Sequence, residues 1–396
     1  MTRPLYETDP YLSKFDAIVT KLEGDWVVLD RTAFFPGGGG QDTDLGWIED
    51  LEVVEVTRVG DDMRHKVPDH TFSLGQRVEC EVDWERRFDL MRGHSGEHLL
   101  FSVISKVNPD VELVKIGITP KKKSFIVRGD INWSLISIAQ REANDAIAAQ
   151  LPISDEWVAK DDPSLANTRI KLDRIHGDKV RIVKIGEIDK AACAGVHIHN
   201  TRELRMLLVT RLNSARPVGD FEIEFETGRH AQEDALRLAA FALQASDSMG
   251  AKPDDLVSAV ENMKHELETS KTALKRYSKE SLKGLTPEQV GDIEIYSGLF
   301  GGIDRKALAD AANALIERPK TICVLGSADE RLMLLVAASK DMDIDCRAVL
   351  TDALSRVSGK GGGAKNFASG GAPTAEGAEE VVRKAKEEAK AAARRA

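Results

Sequence analysis

His94 and His98 stand four residues apart in the stretch WERRFDLMRGHSGEHLLFSVISKV, and about 95 residues later Cys193 and His197 again stand four apart. Apolar residues in the first stretch recur at three and four, which predicts a helix over roughly 88–106. On that helix both imidazoles share one face, with Cβ atoms about 5–6 Å apart. Cys193-Ala194-Gly195-Val196-His197 offers a thiolate and a third imidazole that a turn can bring onto the same ion. Zn²⁺ takes such nitrogen and sulfur donors tetrahedrally, whereas hard cations prefer oxygen. The fold must therefore hold a helix against a distant turn. The expectation is one zinc per chain on His94, His98, Cys193 and His197, with His199 competing with His197 for its place.

A second cluster lies at 32–46, TAFFPGGGGQDTDLG. Four consecutive glycines let backbone approach a ligand closely, and Thr32, Gln41 and Asp44 set polar groups around them. No GK[ST] and no G-x-G-x-x-G is present there, so neither a P-loop nor a dinucleotide fingerprint applies. A tight turn without a ligand is the competing reading.

The length, 396 residues, calls for more than one core. Strand-like runs over 15–35 and 45–59 predict a small β-barrel-like domain in residues 1–90. Residues 91–227 alternate helical and strand-like stretches and form an α+β domain that carries the zinc donors. Residues 228–285 are nearly all helix-forming, broken at SMGAKPDD. In the second of these helices Leu256, Val260, Met263, Leu267, Leu274 and Tyr277 keep an a/d register, so the linker is either coiled-coil-like or an amphipathic helix lying on its own protein. Residues 286–396 read as a C-terminal α/β globular domain with a glycine-rich loop at 359–371 and a final charged helix.

Net charge is −10, which argues against a protein that coats nucleic acid without preference. Residues 346–396 carry ten Lys/Arg and six Asp/Glu, a local +4, leaving −14 for the preceding 345. That basic end can meet phosphates locally, or can be a solvated helix face with Glu-to-Lys/Arg pairs. The four cysteines give no disulfide framework, and no run is long and apolar enough to span a membrane. A cytoplasmic setting is expected.

Taken together, TAFFPGGGGQDTDLG, HSGEH and CAGVH followed by NTREL resemble the editing domain of alanyl-tRNA synthetase and its free-standing relatives, the AlaX proteins. GKGGG…FASGG and the helix after it resemble the C-terminal domain of that synthetase, so the likeness spans nearly the whole chain. A chain that opens directly on its editing module is similar to the long form of the family. Three positions depart: Ala194 and Val196 stand where the family has glycine and threonine, and Phe35 stands where it has tyrosine.

The resemblance implies a trans-editing hydrolase that deacylates mischarged tRNA(Ala), seryl- or glycyl-tRNA, by zinc-assisted ester hydrolysis. Thr32 and Gln41 are the expected catalytic-site residues that read the amino acid. Gly38, Gly39, Gly40, Lys360, Gly361, Gly362, Gly363 and Lys365 are expected to contact substrate or tRNA. Self-association into a homodimer is a further option. The alternative function is a zinc-stabilised tRNA-binding protein without catalysis. A metal-dependent phosphodiesterase is disfavoured, since the chain has no Asp-His-His cluster.

Overall fold

In Lys14–Glu23 polar and apolar residues alternate, with Ala17 and Val19 turned inward, which is the pattern of a strand with one buried face. The computed structural model describes residues 1–170 and 178–394, in two compact units, Met1–Gln244 and Ala245–Ala396.

The first unit opens with a seven-stranded antiparallel sheet. Its spatial order is Leu51–Val53, Gly46–Ile48, Arg77–Val82, Lys14–Glu23, Trp26–Leu29, Asp62–Lys66 and Glu55–Val59. The two outer strands are consecutive in the chain, separated by Val54 alone, so the sheet curls until one run of chain serves both edges. That near-closure removes most of the open edge. Its interior is filled by Val19, Val27, Leu29, Phe34, Ile48, Val53, Val56 and Val78.

Helix α1 (Trp84–Val107) follows, its N-terminus capped by the Asp83 carboxylate, which accepts the Arg86 N–H. It begins four residues before the apolar periodicity does. The reason is Arg87, fully buried, whose guanidinium grips Asp44 and the carbonyls of Pro10 and Ala33 and so makes a charged residue part of the core. From Leu90 to Ile104 α1 is buried on nearly every side. A four-stranded antiparallel sheet, ordered Glu112–Ile118, Lys123–Arg128, Asp220–Thr227 and Leu207–Ser214, shares its core, as does α2 (Trp133–Ala148). A smaller sheet, Ile153–Ala159, Lys179–Ile185 and Asp189–Ala192, ends at Cys193.

Helix α3 (Gly228–Met249) ends at Gly250, whose φ of +61° suits a helix stop, and Pro253–Asp255 leads into α4 (Leu256–Lys283). On α4 Val260, Met263, Leu267, Leu274 and Tyr277 are all exposed, between 37% and 59%.

The second unit is a six-stranded sheet, Glu288–Val290, Ile293–Phe300, Thr321–Ala328, Leu332–Ala338, Phe367–Ala372 and Lys360–Ala364. One pair is parallel, Ile293–Phe300 with Thr321–Ala328, and α5 (Arg305–Ile316) makes the crossover. Alternate residues of the central strands face opposite layers. Cys323, Leu325 and Leu335 meet α5, while Ile322, Val324 and Leu334 pack with α6 (Cys346–Leu354) and α7 (Ala378–Ala393).

The glycine-rich stretch at 359–371 is a correction to the sequence reading. It is an antiparallel hairpin with Gly361 opposite Gly370, not a loop. A Cβ on Gly361 would lie 2.7 Å from Leu350 of α6 and 2.8 Å from the Gly370 backbone. These glycines let a strand and a helix approach closely, a packing need that looks like loop composition in sequence.

Candidate metal centre

Helix α1 presents His94 and His98, and the segment after Asp189–Ala192 presents Cys193 and His197. One donor atom from each lies within 4.8 Å of the others. Cys193 Sγ is 3.5 Å from His94 Nε2 and 3.2 Å from His197 Nε2. A tetrahedron with bonds of ~2.0–2.3 Å has edges of roughly 3.3–3.8 Å, so the two Cys193 distances are close to those of a zinc site and every donor pair lies within about 1.5 Å of them. His199 is elsewhere: exposed, it stacks on Tyr11 at 4.3 Å, and its N–H donates to the Tyr11 and Glu203 side chains.

The second nitrogen of each ring is held by the protein. Gln41 Oε1 accepts the Val196 N–H at 3.2 Å, which fixes the orientation of its amide, so His94 Nδ1–H donates to the same oxygen at 2.8 Å. His98 Nδ1–H donates to Asp189 at 2.7 Å, and the Ser102 hydroxyl and Arg169 converge on that carboxylate. His197 Nδ1 sits 3.1 Å from the Ser95 hydroxyl, which also accepts the Ile198 N–H. Partners of this kind set ring orientation and turn the Nε2 lone pairs of His94 and His98 toward the centre.

Charge in the metal-free site is shared out accordingly. Burial pushes the Cys193 thiol up, but His94 and His197 beside it outweigh burial and hold it well below its ordinary value. Burial also opposes the charged form of His98, yet the Asp189 hydrogen bond and the thiolate raise it to about 10. His197, with burial dominant, falls to about 3. Burial pushes Asp189 up as well, and the His98 hydrogen bond and Arg169 bring it down to about 2. The Cys193 thiolate and the His98 imidazolium thus stand where a dication is expected, and metal binding displaces the His98 proton.

Local backbone makes this possible. Gly195 has no room for a Cβ, which would lie 2.2 Å from His94 Cε1 and 2.9 Å from Gln41 Oε1. Arg181 Nη1 donates to the Gly195 carbonyl at 2.6 Å and anchors the turn. Val196, one of the two departures in that motif, buries its side chain and contributes its N–H to Gln41, so that contact needs no hydroxyl. In the glycine cluster Gly39 and Gly40 have φ of +61° and +90°, and the turn closes with reciprocal Gly38/Gln41 backbone bonds of 3.0 Å. Backbone bonds from Asp42 to Ile118 and from Ile118 to Gly40 then lay Gln41 beside α1.

Gln41 keeps one group in reserve, because its Nε2 is buried without a partner among the described residues. Thr32 is placed differently. It is buried in the barrel, where its hydroxyl donates to His65 Nε2 at 2.9 Å and accepts the Phe34 N–H at 3.1 Å. Lys360, Gly361, Gly362 and Gly363 lie exposed on the outer hairpin strand of the second unit, and Lys365 pairs with Asp343. On α7 Arg383 meets Glu380, Lys384 meets Asp352 and Glu388, and Lys386 and Lys390 both meet Glu288, so these cations already have partners. Arg395, counted with the basic tail, lies outside the described residues.

Sequence reasoning missed Asp189, Ser95 and Arg169 as supports of the rings. Ser95 carried a usable signal, since it sits between the two histidines. Asp189 and Arg169 carried none, being brought in by strand pairing alone.

Three family models match the chain: tRNA synthetases class II (A) over residues 10–86, the threonyl and alanyl tRNA synthetase second additional domain over 180–229, and the DHHA1 domain over 294–391. The matched segments make this a chain similar, module by module, to parts of threonyl and alanyl tRNA synthetases. The likeness extends along nearly the full length of both chains to the alanyl-tRNA editing protein AlaX-L of Pyrococcus horikoshii, 28% identical over 93% of this chain and 94% of that one. The alanine–tRNA ligase of Ignicoccus hospitalis is 30% identical over 93% of this chain but only 41% of its own length. That of Methanococcus maripaludis strain C6 is 26% identical over 93% and 42%. A solved structure, the C-Ala domain from Aquifex aeolicus alanyl-tRNA synthetase, aligns at 24% identity with a TM-score of 0.25, covering 26% of this chain and 96% of that one. Among the described residues no helix is long and apolar enough to cross a membrane.

Proposed function

We propose that this chain is an aminoacyl-tRNA deacylase of the cytoplasm that removes serine or glycine from mischarged tRNA(Ala) in trans. The observation that carries the reading is the four-donor centre with each Nδ1 engaged, in a chain similar from end to end to an alanyl-tRNA editing protein. His94, His98, Cys193 and His197 would hold one zinc. When bound, zinc supplies a Lewis acid for the ester.

The rest is done by the chain itself. The unpartnered Gln41 Nε2–H group, costly to leave unsatisfied, is a donor for the bound aminoacyl group. Thr32 fixes the approach to the glycine turn, so both residues bear on which amino acid is removed. Lys360, Lys365 and the exposed glycine strand contribute phosphate contacts, which position tRNA without reading bases. The exposed stripe on α4 supports self-association, to be read by sedimentation.

The test is deacylation of seryl-, glycyl- and alanyl-tRNA(Ala) side by side. Release of serine or glycine with alanine spared is expected, and no release from any of them refutes the reading. Four protein donors fill a tetrahedral site, which favours a second reading, a structural zinc in a non-catalytic tRNA-binding protein. Under it, the chain binds tRNA yet leaves every ester intact with or without a chelator.

A further inference from the structure

Along one face of α1, Trp84, Phe88 and Arg92 follow one another at intervals of four, and Ser95, whose hydroxyl meets His197, continues the row. The first three are half-buried. Trp84 and Phe88 stack at 5.3 Å, Tyr11 packs against both, and the exposed ring of His199 stacks on Tyr11 at 4.3 Å. The Arg92 guanidinium lies 4.0 Å from the centre of the Phe88 ring. Four rings and a cation thus form a ladder from α1 to the segment just beyond His197.

That segment is tied down. The Glu203 carboxylate accepts the Tyr11 hydroxyl at 2.6 Å and the His199 and Asn200 N–H groups at 3.2 and 3.0 Å. The Glu203 carbonyl accepts the Arg92 Nε–H at 2.7 Å, and the two terminal nitrogens of that guanidinium have no protein acceptor among the described residues. Two residues on, the chain turns at Arg205 with φ of +56° and ψ of −54°, and the Met206 N–H donates back to the Leu204 carbonyl. This is a γ-turn of positive φ, a rare and strained form that glycine would enter at lower cost. The side chain it carries is an exposed arginine close to Arg92, whose charged form is disfavoured first by burial and then by Arg205. Among the described residues neither guanidinium forms an ion pair, Asp89 being engaged by Lys123 and Glu203 by Tyr11.

Two like charges set close together, one of them on a strained backbone and both without an acid, have no account in packing. An anion accounts for them. Guanidinium forks hold phosphate oxygens two at a time, and a flat exposed ring offers a face to a nucleobase. Phosphate and base side by side mean a single strand, since in a duplex the base faces are covered by their neighbours.

We propose that this surface binds the unpaired 3′ end of tRNA, with a base stacked on the outer face of His199 and a phosphate held between Arg92 and Arg205. The choice of tRNA rests on the reading above. The ladder borders the metal centre on its His197 side, where Ser95 Oγ lies 3.1 Å from His197 Nδ1, so the nucleotides it carries are those just before the aminoacylated one.

The experiment measures, by fluorescence anisotropy on the full zinc-loaded chain, binding of an uncharged RNA hairpin that copies the acceptor stem of tRNA(Ala), with and without its unpaired 3′ nucleotides. The tailed RNA is expected to bind about tenfold more tightly than the blunt one. Arg205→Gly should weaken the tailed RNA about tenfold, leave the blunt RNA within about twofold, and flatten the salt dependence by about 0.7 of a unit for the phosphate released. Its thermal midpoint should equal or exceed that of the wild type, because glycine relieves the turn. His199→Ala should weaken the tailed RNA about tenfold with salt slope and zinc content unchanged, and His199→Phe, which keeps a ring, should restore binding. Equal binding of the two RNAs by the wild type overturns the proposal. So does an Arg205→Gly chain that binds the tailed RNA as the wild type does, or that melts lower or fails to fold, which makes the arginine a structural group. Loss of zinc in His199→Ala makes that ring a ligand and overturns the stack; should that variant fail to fold, His199→Phe decides, and weak binding there refutes the stack. Because no ester is present in the probe, a chain that binds the tail through these residues yet deacylates nothing loses the deacylase reading and keeps this site, whereas an active deacylase with unaffected binding in the variants loses this site alone.

Discussion

Around His94, His98 and His197 each Nδ1 has a protein partner buried inside the first unit, whereas on α7 of the second unit Arg383, Lys384, Lys386 and Lys390 meet carboxylates at an open surface. The same residue chemistry has different consequences in the two places. Inside, a missing partner leaves a desolvated group with nowhere to turn. Outside, water replaces the partner, and such pairs contribute little to stability and exchange readily for a phosphate. The first unit should therefore respond sharply to single changes and the second weakly.

Removing a ligand is the hardest blow. Cys193→Ala should lose most of its zinc by elemental analysis and its hydrolysis with it. Full retention of zinc there, with loss in His199→Ala, would mean the ring stacked on Tyr11 is the true ligand. Next comes a support. Asp189→Asn leaves His98 without its charged acceptor and should weaken zinc binding by about 10–100-fold in a chelator competition. An unchanged affinity would break the contrast at its centre.

Much of that centre was legible because helical spacing is a local property. HSGEH and CAGVH each place their donors four apart, and the pairing of the two motifs needed only residue chemistry. The supporting shell was not legible, because Asp189 reaches His98 through a three-stranded sheet and Gln41 reaches His94 through a glycine turn, neither of which has a periodic signature. Hydropathy carried no signal at 359–371, where Gly361, Gly362 and Gly363 follow one another without side chains although the strands pair in register.

His65 extends the comparison to the barrel. Burial depresses it to about 4, and it stays neutral while accepting from Thr32 and donating to Val27. The unfolded chain, with a histidine near 6.5, takes up the proton first on acidification. Stability is thus fully present above about pH 6.5 and is lost as pH falls toward 4, by up to about 3 kcal/mol. Urea midpoints measured across that window should fall in the wild type and lose this slope in His65→Gln. No such cost attaches to Glu288, which is exposed and is held near 2 by Lys386 and Lys390.

Gln41→Ala and Thr32→Val should change the ratio of serine to alanine removal more than the tRNA concentration for half-maximal rate. A large change in that concentration with the ratio intact would transfer both residues to tRNA binding. The smallest effect is reserved for the surface. Lys360→Ala with Lys365→Ala should raise the half-maximal tRNA concentration a few-fold and flatten the salt dependence by about one unit of slope for each phosphate left without its lysine. A change as large as that of Asp189→Asn would show that the hairpin is more than a phosphate rest.

Cys193 and His94 touch across 98 intervening positions of sequence. On a ribosome adding about 5–20 residues per second, the helical histidine pair exists for roughly 5–20 s before the thiolate is made. During that interval the nascent chain offers imidazole alone, a donor that copper and nickel satisfy at least as well as zinc. The thiolate completes the mixed nitrogen and sulfur set that the proposed zinc site needs, so that set exists only late in synthesis, once the last pair of donors has left the tunnel.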